Sequence, residues 1–309
     1  MMMESVDEFE TGGLNSIAMR GHNYLILCSS ILAYIAAIVW WPEVETVHLV
    51  LFFSTYILCA LGITVGYHRY FTHHGFKCKP WLAYVLLILG TMSGTGPLLQ
   101  WVRTHVCHHR FVDEDGDPHS PGLQQHQTRG KIFNFWYSHV GWLLTNFKPN
   151  NNVLAPQDKK LLDMVFHSRI AQPGFAYYFT LAMGIVIPGI IAGLWSQSLS
   201  SAALGMLWGG FLRIAIMLNL EFAVNSSGHM FGARPFDTKD TSTNSMILGI
   251  VCFGEGWHNN HHQYPYSARH GLKWWQFDSS YYTIYFLKKY GIAWDVKLPV
   301  KQRTNDADA

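Results

Sequence analysis

The chain has 309 residues, is 49% hydrophobic and only 14% charged, and carries a formal net charge of +2. A soluble domain is about a quarter charged, so this balance points to a membrane protein, and a charge so close to zero gives no footing for nucleic acid. Five scattered cysteines (Cys28, Cys59, Cys78, Cys107, Cys252) contain no CxxC pair, which excludes a disulfide framework and a thiolate zinc site.

The first residues are acidic (Glu4, Asp7, Glu8, Glu10) and no basic stretch precedes the first apolar run, so a cleaved signal peptide is not expected. Apolar runs follow at about 24–41, 47–66, 81–99, 174–195 and 199–220, each near the ~20 residues a helix needs to cross a bilayer. The links Pro42–Thr46 and Ser196–Ser198 are short, which makes the first two runs one hairpin and the last two another. The 81–99 run differs. If it crossed, His68 and His73 would lie on the opposite side of the membrane from His105, His108 and His109. It also contains Gly90, Ser93, Gly94, Gly96 and Pro97, which weaken a straight helix. It is therefore expected to be interfacial or re-entrant, leaving four spans with both termini on one side.

Of the 22 Lys and Arg, every one except Arg213 falls on the histidine side, which makes that side cytoplasmic. The polar stretch 110–170 links the two hairpins and is a candidate cap over the site; residues 299–309 read as a disordered tail. The expectation is one domain over 1–309: an all-α membrane protein with four transmembrane helices in two hairpins and a cytosolic helical cap carrying a histidine-rich site.

The chemistry lies in 17 histidines. His105-Val-Cys-His108-His109 and His258-Asn-Asn-His261-His262 repeat one HxxHH pattern, preceded by His68-Arg-Tyr-Phe-Thr-His73. HxxHH puts rings at i, i+3 and i+4, on one face of a helix, and imidazole is the commonest metal ligand among side chains. His68 and His73 are five positions apart, which an α-helix splays by about 140°, so the second span is expected to carry His68 on an extension and to end before His73, with Gly75 downstream. Asn225-Ser-Ser-Gly-His229 closes the fourth run with an i, i+4 pair. Nine imidazoles are too many for one ion, whereas two ions with four or five nitrogens each would use them all. Zinc closes at four ligands or fewer and a bis-histidine haem needs two, so two redox-active irons fit best. A metal transporter, a haem electron carrier and a zinc-bearing receptor remain the readings from other classes; transport would call for ligands near mid-span.

The set HRYFTH, HVCHH, WHNNHH and NSSGH resembles the integral-membrane acyl desaturase family typified by stearoyl-CoA Δ9 desaturases. Gly116-Asp117-Pro118-His119, Ser138-His139-Val140-Gly141-Trp142 and Gly254-Glu255-Gly256-Trp257-His258 belong to the same resemblance. Ser267-Ala268-Arg269-His270-Gly271-Leu272 with Trp274-Trp275 is similar to the bacterial, cyanobacterial and plant branch. The resemblance implies two irons held by His68, His73, His105, His108, His109, His229, His258, His261 and His262, with Asn225 contributing through a water. It implies an O2-dependent removal of two hydrogens from an acyl chain on CoA, acyl carrier protein or a glycerolipid, at Δ9. No haem or flavin domain is visible, so a ferredoxin or cytochrome b5-like donor is implied. An acetylenase or fatty acyl hydroxylase would carry the same metal motifs.

Other residues have plainer readings. His119, His139 and His270 are expected to orient ligands or structure rather than to bind metal, and His74 to be no ligand. His22, His48, His126 and His167 read as interfacial or loop histidines. Arg213 either binds a polar group within the membrane or caps a neighbouring helix's carbonyls. Trp101, Trp142 and Trp257 are candidates for an acyl tunnel, together with Arg213, Glu221 and Phe222. Glu221 and Phe222 stand one turn before Asn225, where relatives often have a small polar residue and Trp, and Gln100 replaces an acid of animal relatives.

Overall fold

The computed structural model describes residues 16–123, 129–145, 169–172 and 174–300. The acidic N-terminal residues, His126, His167, the middle of the 110–170 stretch and nearly all of the expected tail lie outside the described residues.

Among the described residues, four helices are long and apolar enough to cross a bilayer: α1 (Ser16–Val39), α2 (Thr46–Thr72), α6 (Phe175–Ser196) and α7 (Leu199–His229). Between them lie α3 (Pro80–Met92), α4 (Leu98–Phe111) and α5 (Gly130–His139); after them come α8 (Met246–Val251), α9 (His258–Gln263) and α10 (Ser279–Lys289). The outward faces of α1 and α6 are apolar, with Leu32, Ile35, Ile38, Ile190 and Leu194 all exposed. That surface suits lipid and not water, and it makes this a membrane protein. Of the best spanning windows, 50% of α2 and 67% of α7 are buried, against 22% of α1 and 33% of α6. The inner pair, α2 and α7, thus has the least lipid contact, and its ends supply His68, His73 and His229.

Both inner helices run beyond the apolar stretches read from composition, α2 to Thr72 and α7 to His229. In α2 the backbone changes winding: Gly62–Thr72 is a π-helix, closed by His73, whose N–H donates to the carbonyl of His68 at 3.0 Å. Each π turn spans i to i+5. Residues five apart are therefore brought nearer to one face, and the 140° splay of an α-helix is reduced. A further short π segment, Leu207–Leu212, interrupts α7.

The 81–99 run is two helices, not one. α3 is 13 residues long, about 20 Å, too short for a hydrocarbon core of about 30 Å. Leu82, Ala83, Leu86 and Leu87 face inward while Trp81, Tyr84 and Val85 are exposed. α3 lies close on α2 because a Cβ on Gly62 would stand 2.3 Å from the backbone nitrogen of Gly90. The chain then breaks at Ser93–Pro97, where Gly94 and Gly96 have φ of 84° and 107°, a region that disfavours side chains with a Cβ. Pro97 precedes the first turn of α4.

The all-α expectation needs one amendment. Two-residue strands β1 (Lys77–Cys78) and β2 (Ala293–Trp294) pair antiparallel and tie the C-terminal segment to the α2–α3 link. His48 is fully buried and hydrogen-bonds with Ser201 at 2.9 Å, joining α2 to α7. His22 packs edge-on against Tyr177 and Tyr178.

Candidate metal centre

The end of α2, the length of α4, the end of α7 and the short α9 bring nine imidazoles together in two groups. His68, His73, His105, His109 and His261 form one; His108, His229, His258 and His262 form the other. Each HxxHH triplet is divided between them. Positions i and i+4 go to one group and i+3 to the other, so His105 and His109 join His261, while His258 and His262 join His108. One helical face supplies rings to both groups, a division that spacing alone does not reveal.

Within the first group, Nε2 atoms lie 3.2 Å apart in His68–His261, 3.0 Å in His73–His105, 3.0 Å in His105–His109 and 2.9 Å in His109–His261. In the second, His229–His258 is 3.0 Å and His258–His262 is 3.1 Å. Nitrogens about 2.1 Å from one ion stand about 3 Å apart at adjacent corners of its coordination shell.

The proton positions follow from the acids behind the rings. His68 Nδ1 lies 2.6 Å from Glu255, His108 Nδ1 3.0 Å from Asp117 and His262 Nδ1 2.9 Å from Asp240. A carboxylate accepts only, so each of these Nδ1 atoms donates and each Nε2 presents a lone pair to the cluster. His108 Nε2 is buried without a hydrogen-bond partner. A set of converging lone pairs with protons fixed on the outer side is what a cation satisfies, and carboxylate–histidine pairs are the usual support of metal-bound imidazole. The residues present therefore fit a metal, with neutral nitrogen donors that suit iron.

Electrostatics agree. Burial, and then the neighbouring imidazoles, hold His73, His105, His109, His258 and His261 well below the ordinary value, which keeps them neutral and ready to ligate. Burial also pushes His108 down, but Asp117 outweighs it and the net shift is upward. Burial would raise Glu255 and Asp240, yet His68 and Arg69 on one and His262 on the other bring both below the ordinary carboxylate range.

Asn259 and Asn260, inside the second triplet, explain how so short a helix as α9 keeps its place. Asn260 donates to His270 O at 2.8 Å and accepts from Asn244 at 2.7 Å; Asn259 accepts from the Phe236 N–H at 2.9 Å. Arg69, fully buried, donates to Asp278 at 2.8 Å, to Ala268 O at 2.9 Å and to Glu255 at 3.2 Å. Asp278 in turn accepts from the His270 N–H and caps α10 through the Tyr281 N–H. His270 packs on His261, its ring held neutral with a pKa near 4 mainly by burial. His119 packs on His108, and burial likewise takes it to about 3. His139 hydrogen-bonds Ser226 and Asn219, away from both groups. Sequence reasoning missed Asp117, Asp240 and Glu255 as partners of the rings. Asp117 and Glu255 stand close to the histidine motifs in the chain, a usable signal, whereas Asp240 has none.

A cavity of about 170 Å³ opens from the histidines into the helices. His68, His105 and His258 line it, as do Trp101, Trp142, Glu221, Phe222 and Asn225. Arg213 and Trp257 are not among its lining residues. Arg213 is fully buried and donates to the carbonyls of Met92 at 2.6 Å, Gly184 at 3.0 Å and Gly209 at 3.3 Å. Trp257 donates to Phe277 O at 2.7 Å.

Fold and site together define a membrane protein with a histidine-rich metal centre beside an apolar cavity. A family model described as fatty acid desaturase matches residues 45–294, and the chain belongs to that family. It is 40% identical over 265 residues to a hex-5-enoyl-[acyl-carrier protein] acetylenase of Moorena producens (strain JHB), covering 85% of this chain and 81% of that protein. It is 36% identical over 248 residues to an sn-1 stearoyl-lipid 9-desaturase of Anabaena variabilis, covering 80% and 83%. An sn-1 stearoyl-lipid 9-desaturase of Synechocystis sp. is 35% identical over 248 residues, covering 80% and 71%. Membership of this family makes the protein an oxidoreductase of acyl chains, acting by desaturation or acetylenation.

Proposed function

We propose that this protein is an O2-dependent desaturase placing a double bond, at Δ9, in an acyl chain carried on CoA, acyl carrier protein or a glycerolipid. The observation that carries the reading is the meeting of both imidazole groups with the cavity, where His68 and His105 of one group and His258 of the other line the same wall. In this reading the five-ring and four-ring groups each hold one iron, and Asn225 contributes through a water. Bound, reduced iron supplies the activation of O2 and the removal of two hydrogens from adjacent methylenes. The electrons come from a separate ferredoxin or cytochrome b5-like donor.

The chain's own residues do the rest. Glu255, Asp117 and Asp240 keep the Nδ1 protons of their rings on the outer side and fix ring orientation. Trp101, Trp142, Leu218 and Phe222 give the acyl chain an apolar wall and keep water from the reacting carbons. The four spans form two hairpins with the histidines on the cytoplasmic side, a topology supported by the distribution of Lys and Arg.

Lipid profiling of a desaturase-deficient host carrying this chain, with His261→Ala as control, tests the reading. The expected result is unsaturation at one defined carbon, lost in the variant. Hydroxylated lipid without loss of two hydrogens would replace this reading by a hydroxylase.

A second reading, an acetylenase, is favoured by the 40% identity to the Moorena producens enzyme. Feeding an alkenoyl chain separates the two: an acetylenase returns the alkyne.

A further inference from the structure

The C-terminal part of the chain presents an aromatic surface. Trp274 is 91% exposed, and Trp275, Phe277, Tyr282, Tyr285 and Phe286 are exposed beside it. Within α10, Ser280 and Ile284 face inward, while Tyr282, Tyr285 and Phe286, at i, i+3 and i+4, make one outward stripe. Water disfavours a contiguous patch of this kind.

Contacts with the spans fix the depth of this surface. Tyr56, about ten residues and 15 Å into α2, donates to Val251 O at 2.6 Å, and Cys252 Sγ lies 3.7 Å from Leu220 O on α7. Against a hydrocarbon core of about 30 Å, these contacts set α8 inside the core. Its outward residues, Met246, Ile247 and Ile250, are apolar and exposed. The Trp257 indole closes on α8, where a Cβ on Gly249 would stand 2.6 Å from it. The same indole meets Trp275 edge-on at 5.6 Å and donates to Phe277 O at 2.7 Å. The Ser280 hydroxyl lies 2.6 Å from that of Thr64, about 27 Å along α2 and so at the edge of the core. Charge comes last: Lys273 stands over the Trp275 ring at 5.7 Å, and Lys288 and Lys289 occupy the last turn of α10. The one acid between 273 and 290, Asp278, is buried against Arg69.

From α8 outward the surface runs apolar, aromatic, cationic, which is the order of a membrane interface. Lysine stems reach past such rings to anionic headgroups. A second copy meeting this face about a twofold axis would instead set lysines against lysines.

We infer that α8, residues 273–277 and α10 form a lipid-binding surface that inserts into the leaflet on the histidine side and takes anionic headgroups at Lys273, Lys288 and Lys289. This membrane contact is additional to the four spans and independent of the chemistry at the metal centre.

The test uses the full-length chain, one copy per lipid nanodisc. Spin labels are placed singly through Ile247→Cys, Trp274→Cys, Tyr285→Cys and Lys289→Cys on a Cys28→Ser background, and accessibility to oxygen and to a nickel chelate reads their depth. The expected order is Ile247 deepest, Trp274 and Tyr285 among the headgroups, and Lys289 most open to nickel. In the native chain, amide hydrogen exchange across 273–290 is expected to slow when phosphatidylglycerol is added to phosphatidylcholine discs. Each lysine beside an anionic surface is worth about fivefold in affinity. Lys273→Gln, Lys288→Gln and Lys289→Gln together should therefore abolish that slowing and strip phosphatidylglycerol from the purified protein in native mass spectrometry. Trp274 and Tyr285 labels as open to nickel as Lys289 would overturn the inference. So would exchange in the native chain that is identical in the two lipids, a result that decides even where a labelled variant does not accumulate. Protection that requires two copies in one disc would give the face to a second chain and overturn it too.

Discussion

His261 and His262, neighbours in the chain, stand with perpendicular rings 5.6 Å apart, one in each imidazole group. Alanine at either position therefore removes a nitrogen from a different group. Metal analysis of purified protein is expected to show partial iron loss in both single variants and deeper loss in the double variant. Full iron content in either single variant would show that the ring it lacks is no ligand.

Asp240 touches the second group only through His262, at 2.9 Å. Asp240→Asn keeps the shape and removes the strong acceptor, so iron affinity is expected to fall about 10–100-fold, as for other partners of metal-bound histidine. Chelator competition reads this directly; an unchanged competition curve would contradict it.

Removing metal exposes a dependence on pH. Burial first, and then neighbouring rings, lower His73, His105, His109, His258 and His261 well below the ordinary imidazole value. Below pH ~6.5 the unfolded chain takes up protons that the folded chain refuses. Stability is thus fully present above that pH and is lost as pH falls toward the lowered values. Metal-stripped protein in detergent should show a falling Tm from pH 7 to pH 5, and a flat profile would exclude the effect.

The Arg69–Asp278 pair is buried at both ends, with side chains 0% and 2% exposed. Asp278→Ala leaves the guanidinium without its strongest partner and uncaps α10. A loss of about 3–5 kcal/mol is expected, measured as a lower thermal midpoint of the detergent-purified protein.

The three carbonyl partners of Arg213 lie on α3, α6 and α7 itself. Arg213→Met is expected to cost about 1–3 kcal/mol for each carbonyl left unpaired, while the double bond stays at the native carbon. A shifted product would give Arg213 a part in placing the substrate.

Composition carried the reading a long way, because a lipid-facing helix must be apolar over its whole length and a metal must recruit several ligands. The four long helices and the nine rings were legible for those reasons. The split of each HxxHH between two groups was not, since spacing fixes a face and not the number of ions before it. The π winding of Gly62–Thr72 was also hidden; the splay between His68 and His73 is resolved by rewinding the helix itself, not only by ending it at Thr72. The 81–99 run gave its break away through Gly94, Gly96 and Pro97, which have few ways to continue a helix. Asp240 and the β1–β2 pair depend on contacts between segments far apart in sequence, where local pattern has nothing to say.

Because α4 and α9 each feed both imidazole groups, neither centre can be assembled or dismantled as a private module. A tilt of α9 that spoils His258 and His262 carries His261 with it, so damage to one group of rings is communicated mechanically to the other. In the two-iron reading, loading of the native chain should accordingly be concerted, with half-filled protein scarce during reconstitution.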